Sequence, residues 1–225
     1  MNRDFIKLEK LNKDIKIAIR YGTKYNFVNT VVPGYKSEST IIISKKAGDA
    51  FLKVQDEFHR EGYNLVFYDA YRPKKTTEYF GTWALTEDIA NKHIFYPNLT
   101  KQEIFEHGLI AKTSSHTRGS TADITIIEKG NTLFEIPKLT YRTLKNGKTI
   151  PFYDDNSVDM GSSFDLFDLV SSYDNREIAD SHYEMRMYLQ SKMLKNGFLP
   201  LKGEWWHFTL KNEQFPETYF DFDII

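Results

Sequence analysis

The stretch Lys46–Pro73, KAGDAFLKVQDEFHREGYNLVFYDAYRP, decides the fold class. Ala47, Ala50, Phe51, Val54 and Phe58 recur at three- and four-residue steps, so Lys46–Glu61 reads as an amphipathic helix, and Gly62 supplies its stop. Tyr63–Tyr68 (YNLVFY) follows at once as a buried strand. Pro73 then opens a second helix, roughly Pro73–Ala90, because the missing N–H of proline is no loss in a first turn. A helix, a strand and a helix in uneven succession indicate α+β.

The flanks extend this pattern. Asp14–Arg20 alternates weakly and predicts a first strand, and Thr40–Ile43 is a short β-branched run. Val31-Val-Pro-Gly34 ends an extended stretch in a turn. Asn91–Tyr96 reads as loop, and Thr100-Lys-Gln-Glu103 matches a capping box opening a short helix. Leu109–Lys112 and Ala122–Glu128 read as strands around the polar loop Thr113–Thr121. Between Lys129 and Asp159 the pattern is loose, with Asn146-Gly147 as a hairpin turn. Glu177–Asn196 is a long helix ended by Gly197, with Met185, Tyr188, Leu189 and Met193 on one side. Glu204–Leu210 is an aromatic core strand. No repeat, low-complexity tract or charge block interrupts the chain. One α+β domain over residues 1–225 follows, with a small, mostly antiparallel sheet flanked by helices.

Composition narrows the chemistry. The chain has 225 residues, enough to bury a core without disulfide or metal staples. Thirty basic against thirty-one acidic residues leave a net charge of −1, so nothing drives binding to nucleic acid or to a membrane surface. No apolar run approaches the ~20 residues that span a bilayer. The N-terminus lacks the apolar core of a secretory signal, which predicts a cytoplasmic location, or a periplasmic one had a leader been removed. Cysteine is absent, which excludes thiol nucleophiles, Cys-rich zinc sites and iron–sulfur clusters together. Any metal must rest on carboxylates and the six histidines, His59, His93, His107, His116, His182 and His207.

Two constellations offer such a set. Ser114-Ser-His-Thr-Arg-Gly-Ser-Thr-Ala-Asp123 places an imidazole and a carboxylate seven residues apart, and Glu204-Trp-Trp-His207 places them three apart. Together they provide two nitrogen ligands, one oxygen ligand and a spare carboxylate, the set that catalytic zinc requires. Residues an odd number apart on a regular strand face opposite ways. His116 and Asp123 therefore converge only if the intervening loop turns, which Gly119 permits. Glu204 is expected in a bend just before its strand, beside Gly203. With Trp206 and Phe208 toward the core, His207 points to a site. The blander readings are a surface or hydrogen-bonded structural role for His59, His93, His107 and His182, and a plain helix-start role for Arg72.

The order of three segments is similar to that in the D-Ala-D-Ala dipeptidases, the VanX-type zinc peptidases: Tyr68-Asp-Ala-Tyr-Arg-Pro73, Ser114-Ser-His-Thr-Arg-Gly-Ser120 running on to Asp123, and Glu204-Trp-Trp-His207. Tyr21-Gly-Thr23, Asn26-Phe27, Gly34-Tyr35, Tyr96-Pro97-Asn98, Asp159-Met-Gly161, Phe164-Asp165, Phe215-Pro216 and Tyr219–Phe222 extend the resemblance over nearly the whole chain. Ile126–Val158 looks longer than is usual in that family.

The resemblance implies one Zn²⁺ per chain, held at the sheet by His116, Asp123 and His207. It implies Glu204 as catalytic base and acid, and Arg72 as the donor to the developing oxyanion. Tyr35, Ser114 and Asp159 fall in motifs like those lining the family's dipeptide pocket. Asp159 would then meet the ammonium of the substrate, and Ser114 or Tyr35 its carboxylate. The implied partner is a small dipeptide, D-Ala-D-Ala; oligomeric state is left open. The D rather than L preference comes from the resemblance alone. Vancomycin resistance, D-alanine recycling and wall turnover would all use the same site. The rivals are a D,D-carboxypeptidase acting on peptidoglycan stems, a zinc-binding module without activity, and a structural domain without metal.

Overall fold

The computed structural model describes residues 3–110 and 113–224. In chain order the elements are strands β1 (Phe5–Lys7), β2 (Lys16–Ile17) and β3 (Ile42–Ser44), helix α1 (Lys45–Arg60), strand β4 (Tyr63–Asp69), and helices α2 (Lys74–Ala84), α3 (Lys92–Phe95) and α4 (Lys101–Glu106). Strands β5 (Thr121–Glu128), β6 (Lys138–Thr143) and β7 (Thr149–Asp154), helix α5 (Asp180–Lys195), and strands β8 (Phe198–Leu201) and β9 (Glu204–Leu210) complete the chain.

The central sheet runs β2-β4-β5-β9-β8, with β2 parallel to β4 and every other pairing antiparallel. Pairs β1–β3 and β6–β7 form two small antiparallel sheets. Helix α1 lays Phe51 across Phe67 of β4 and Phe198 of β8, at ring-centroid distances of 5.0 and 4.3 Å. Leu189 and Met193 of α5 are buried in the same core. Ile124 of β5 stands opposite Phe67, so it shares that helix-covered face. Its neighbour Asp123 points to the other face, because successive side chains on a strand alternate. Asp123 thus points away from the face that α1 covers, and its own face is covered elsewhere along the sheet by Tyr68 stacked on Phe164.

Most expected elements form where the spacing places them. The capping box is complete: Thr100 accepts from Glu103 N, and the Glu103 carboxylate accepts from Thr100 N. Asn146-Gly147 turns the β6–β7 hairpin, with Gly147 at φ 84°.

Several boundaries differ from the sequence reading. The second helix starts after Pro73, which caps it, and stops at Ala84 rather than near Ala90. The Lys101 ammonium donates to the carbonyls of Trp83 and Thr86 at 3.1 and 3.0 Å, satisfying the end of that helix from outside. Asn91–Tyr96 contains the short helix α3 instead of loop. The first strand is reduced to Lys16–Ile17. Of the strand expected at 109–112, Leu109 and Ile110 form a bend, and residues 111–112 lie outside the described residues. Among the described residues no helix is long and apolar enough to cross a membrane.

Candidate active site

Three elements converge on a cleft on the side of the sheet opposite α1. His116 lies in a tight turn, Ser115–Arg118, that begins with the Ser114 hydroxyl accepting from His116 N at 3.3 Å. Gly119 ends the turn at φ 78°, and a Cβ there would come within 2.3 Å of the Phe5 ring. That left-handed residue reverses the chain into β5, so that His116 and Asp123 meet despite their odd spacing. Asp123 in turn stands in register with His207 of β9.

The candidate ligand atoms are oriented from behind. His116 Nδ1 lies 2.7 Å from the carbonyl oxygen of Ala70 and donates to it, which leaves the Nε2 lone pair facing the cleft. His207 turns Nε2 toward Ser115 Oγ, 3.3 Å away, and Nδ1 inward. His116 Nε2 and His207 Nδ1 lie 3.3 and 3.1 Å from Asp123 Oδ1, and 3.3 Å from each other. A tetrahedral ion with ligands at about 2.0–2.1 Å has ligand–ligand edges of about 3.3 Å. The three atoms therefore span one face of such a tetrahedron. Asp123 Oδ1 is buried without a hydrogen-bond donor, as expected of an oxygen meant for a cation. The residues present fit a metal of zinc type.

Electrostatics agree. Burial works against the charge of Asp123, but His116 and His207 hold its carboxyl well below the usual carboxylate range. Burial also disfavours a charged His207, yet Asp123 and Glu204 outweigh it and push its pKa up to about 9. Two carboxylates around two imidazoles make a site that attracts a positive charge, whether a proton or a metal ion.

Glu204 comes to this cluster through an irregularity in the sheet. Pro200 of β8 pairs with Phe208, but the next residue, Leu201, pairs with Glu204. Three extra residues on β9 break the alternation of faces. Glu204 Oε2 consequently lies 3.4 Å from His207 Nδ1. The residue belongs to the strand, not to a bend before it, and the irregularity does the work that the bend was expected to do.

Arg72 follows β4 immediately. Its Nε donates to Asp69 Oδ2 at 2.9 Å, and its Nη2 lies 3.6 Å from Asp123 Oδ2. The guanidinium also rests against the rings of Tyr21 and Phe80, at 5.0 and 5.4 Å. Tyr35 donates to the other Asp69 oxygen at 2.6 Å. A fully buried carboxylate thus holds Arg72 in place, and Tyr35 holds the carboxylate.

A cleft of about 340 Å³ opens over this constellation, lined by Arg72, His116, Asp123, Glu204, His207 and Ser114. Tyr35 stands behind Asp69 instead of on the cleft wall. Asp159 is not brought to the cleft. Both its oxygens accept from Arg142, at 2.8 and 2.7 Å, and His182 lies 3.4 Å away. The carboxylate that does line the cleft is Asp165, which accepts from the Tyr21 hydroxyl at 2.9 Å. Burial pushes its pKa well above the ordinary value. Asp69, Tyr21, Ser115 and Asp165 are the site residues that spacing did not single out. Tyr21 and Asp165 stand in quoted segments, Asp69 is three residues before Arg72, and Ser115 precedes His116.

Comparison with known proteins extends the likeness to the whole chain. The family described as D-ala-D-ala dipeptidase matches residues 1–135 and 147–225. The unmatched residues fall on β6 and the hairpin turn, within the segment that reads as long. D-alanyl-D-alanine dipeptidases of Streptomyces coelicolor, Enterococcus faecium and Enterococcus faecalis are 32%, 31% and 32% identical to this chain, each over 225 residues and the full length of both proteins. Likeness that reaches both ends of the chain, on a fold that gathers its shared motifs around one cleft, makes this protein a metallopeptidase of the D-ala-D-ala dipeptidase family.

Proposed function

We propose that this chain, as a single domain over residues 1–225, is a zinc dipeptidase that hydrolyses D-Ala-D-Ala to two D-alanines. The observation that carries the reading is the tetrahedral-face spacing of His116 Nε2, Asp123 Oδ1 and His207 Nδ1, with Glu204 and Arg72 on the same cleft. Two imidazoles and one carboxylate suit one Zn²⁺ per chain, which when bound would polarise the scissile carbonyl and make water acidic enough to react near neutral pH.

The residues of the chain supply the rest. Glu204 accepts a proton from the attacking water and returns it to the leaving amine. Arg72 stays cationic and donates to the oxygen that gains negative charge as the amide carbon becomes tetrahedral. Its bond to Asp69 fixes the guanidinium at Nε, and its Nη2 is held toward the cleft beside Asp123. A free dipeptide brings an ammonium and a carboxylate, and each needs a partner because burying an unpaired charge is costly. Asp165 lines the cleft and takes the ammonium in place of Asp159; burial favours its protonated form in the empty cleft, and an ammonium beside it favours the carboxylate. Ser114 lines the cleft and serves the carboxylate, while Tyr35 acts through Asp69.

A panel of D-Ala-D-Ala, L-Ala-L-Ala, N-acetyl-D-Ala-D-Ala and D-Ala-D-Ala-D-Ala, assayed with and without added zinc, tests this. Cleavage confined to the unblocked D,D-dipeptide and lost with the metal is the expected result. Equal rates on the acetylated or longer peptide would support the D,D-carboxypeptidase reading instead.

A further inference from the structure

The loop Met160–Ser172 carries Asp165 and Phe167 to the cleft. Asp165 sits at φ 58°. A non-glycine residue in that region is strained and persists only where its surroundings over-determine it. Part of that determination comes from the far side of the loop, away from the metal ligands.

Arg186 reaches there from α5 and is 1% exposed. Its Nε donates to the Met160 carbonyl at 2.5 Å, and its Nη2 to Ser162 Oγ at 3.0 Å. Its Nη1 donates to the carbonyls of Val170 and Ser172 at 2.9 and 2.7 Å. One planar fork therefore clasps both ends of a loop whose middle carries Asp165. Arg186 bonds mainly to carbonyls rather than to a carboxylate; Asp159, which favours its charge, is engaged by Arg142. A buried cation used in this way directs several backbone carbonyls at fixed angles, which the single ammonium of lysine does not reproduce.

Ser162 extends the clasp. Its hydroxyl accepts from the Trp205 indole N–H at 3.1 Å and lies 3.2 Å from Ser171 Oγ. Ser171 in turn donates to the Leu166 carbonyl at 2.7 Å, one residue after Asp165. Trp205 is the neighbour of Glu204. The network ties the loop bearing the ammonium partner to the strand bearing the proposed base.

We propose that Arg186 is a positioning residue for substrate binding, acting with Ser162 to hold Asp165 at the geometry that meets the substrate ammonium. The proposal rests on the reading of Asp165 given above. The test compares Asp165→Asn, Ser162→Ala and Arg186→Lys in the zinc-loaded enzyme on D-Ala-D-Ala, with KM, kcat, melting temperature and zinc content measured for each. Asp165→Asn should raise KM most. Ser162→Ala removes the oxygen that Arg186, Trp205 and Ser171 share, and should raise KM about five- to tenfold with zinc content and kcat nearly unchanged. Arg186→Lys should raise it further, and should Arg186→Lys fail to fold, Ser162→Ala decides. A merely structural role would lower the melting temperature and the active fraction but leave the KM of the folded enzyme alone. KM within twofold of the parent in Ser162→Ala and in any folded Arg186→Lys, beside a raised KM in Asp165→Asn, overturns the positioning role. An unchanged KM in Asp165→Asn removes the reading beneath it and the proposal with it.

Discussion

Asp123 of β5 and His207 of β9 face each other in register across neighbouring antiparallel strands, with Oδ1 and Nδ1 3.1 Å apart. Two of the three proposed ligands are therefore held by the hydrogen-bonded ladder of the sheet, and only His116 depends on a turn. The site is built on rigid elements, which keeps ligand atoms at fixed spacing before any ion arrives.

Metal content should follow this geometry. His116→Ala and His207→Ala are each expected to lose zinc, and the parent protein to bind one ion per chain. Elemental analysis of the purified variants is the check; full retention in either would remove the site. Because the ion binds the folded state, chelation should also lower the melting temperature, by a stabilisation of about 4 kcal/mol where zinc stands a thousandfold above its Kd.

Glu204→Gln separates binding from chemistry. Glutamine preserves shape but cannot take the proton, so turnover should fall by at least ~100-fold with zinc content near normal. Zinc loss in this variant would make Glu204 a ligand instead, and unchanged turnover would make it a bystander. Both quantities are to be measured on one preparation.

Arg72→Lys keeps the charge and loses the fork. The ammonium cannot bond Asp69 along one edge and substrate along the other, so kcat should fall by ~100- to 1000-fold, the usual cost of losing an oxyanion donor. Tyr35→Phe should produce a smaller drop of the same kind, since it loosens Asp69 rather than removing Arg72. Steady-state kinetics would expose an error here as a change in KM alone.

Asp159 offers a pH test. Burial opposes its charge, but the hydrogen bonds from Arg142 hold it below the ordinary carboxylate value. A carboxyl whose folded pKa is depressed adds stability above its unfolded pKa of about 3.9, and loses it as pH falls through the folded value. Arg142→Gln should therefore cost about 0.5–1 kcal/mol at pH 7, discounted for a partner more than a third exposed, and progressively less below pH ~3.9. KM for the dipeptide should not move; a large rise would return Asp159 to the substrate site.

Gly119→Ala should be among the most damaging small changes. It puts a Cβ 2.3 Å from the Phe5 ring at a left-handed residue. Strain and overpacking together suggest about 2–4 kcal/mol, with weakened zinc binding as the His116 turn shifts. Gly130→Ala is the control, since its φ is 87° but nothing lies within 4 Å of the added carbon. It should cost only the backbone term of about 1–2 kcal/mol and leave zinc in place.

The sequence by itself determined whatever depends on neighbours along the chain. The faces of α1 and α5, the capping box at Thr100, the turn at Asn146-Gly147 and the convergence allowed by Gly119 follow from spacing and from the conformational freedom of single residues. The three residues that the fold gathers into a cluster able to hold a metal were legible for the same reason, since each lies in a short motif in a chain without cysteine. Tertiary structure decided the rest. Helix α2 ends at Ala84, where an ammonium seventeen residues beyond, that of Lys101, caps the Trp83 carbonyl of its last turn and the Thr86 carbonyl just after it. Glu204 joins the cleft because β8 and β9 pair out of step. Asp165 rather than Asp159 faces the cleft because Arg142 occupies one carboxylate while Arg186 clasps the loop that carries the other. The two aspartates are six residues apart in similar company. Which of them lines the cleft is decided by partners brought from distant elements, and hydrophobic periodicity carries no record of those partners.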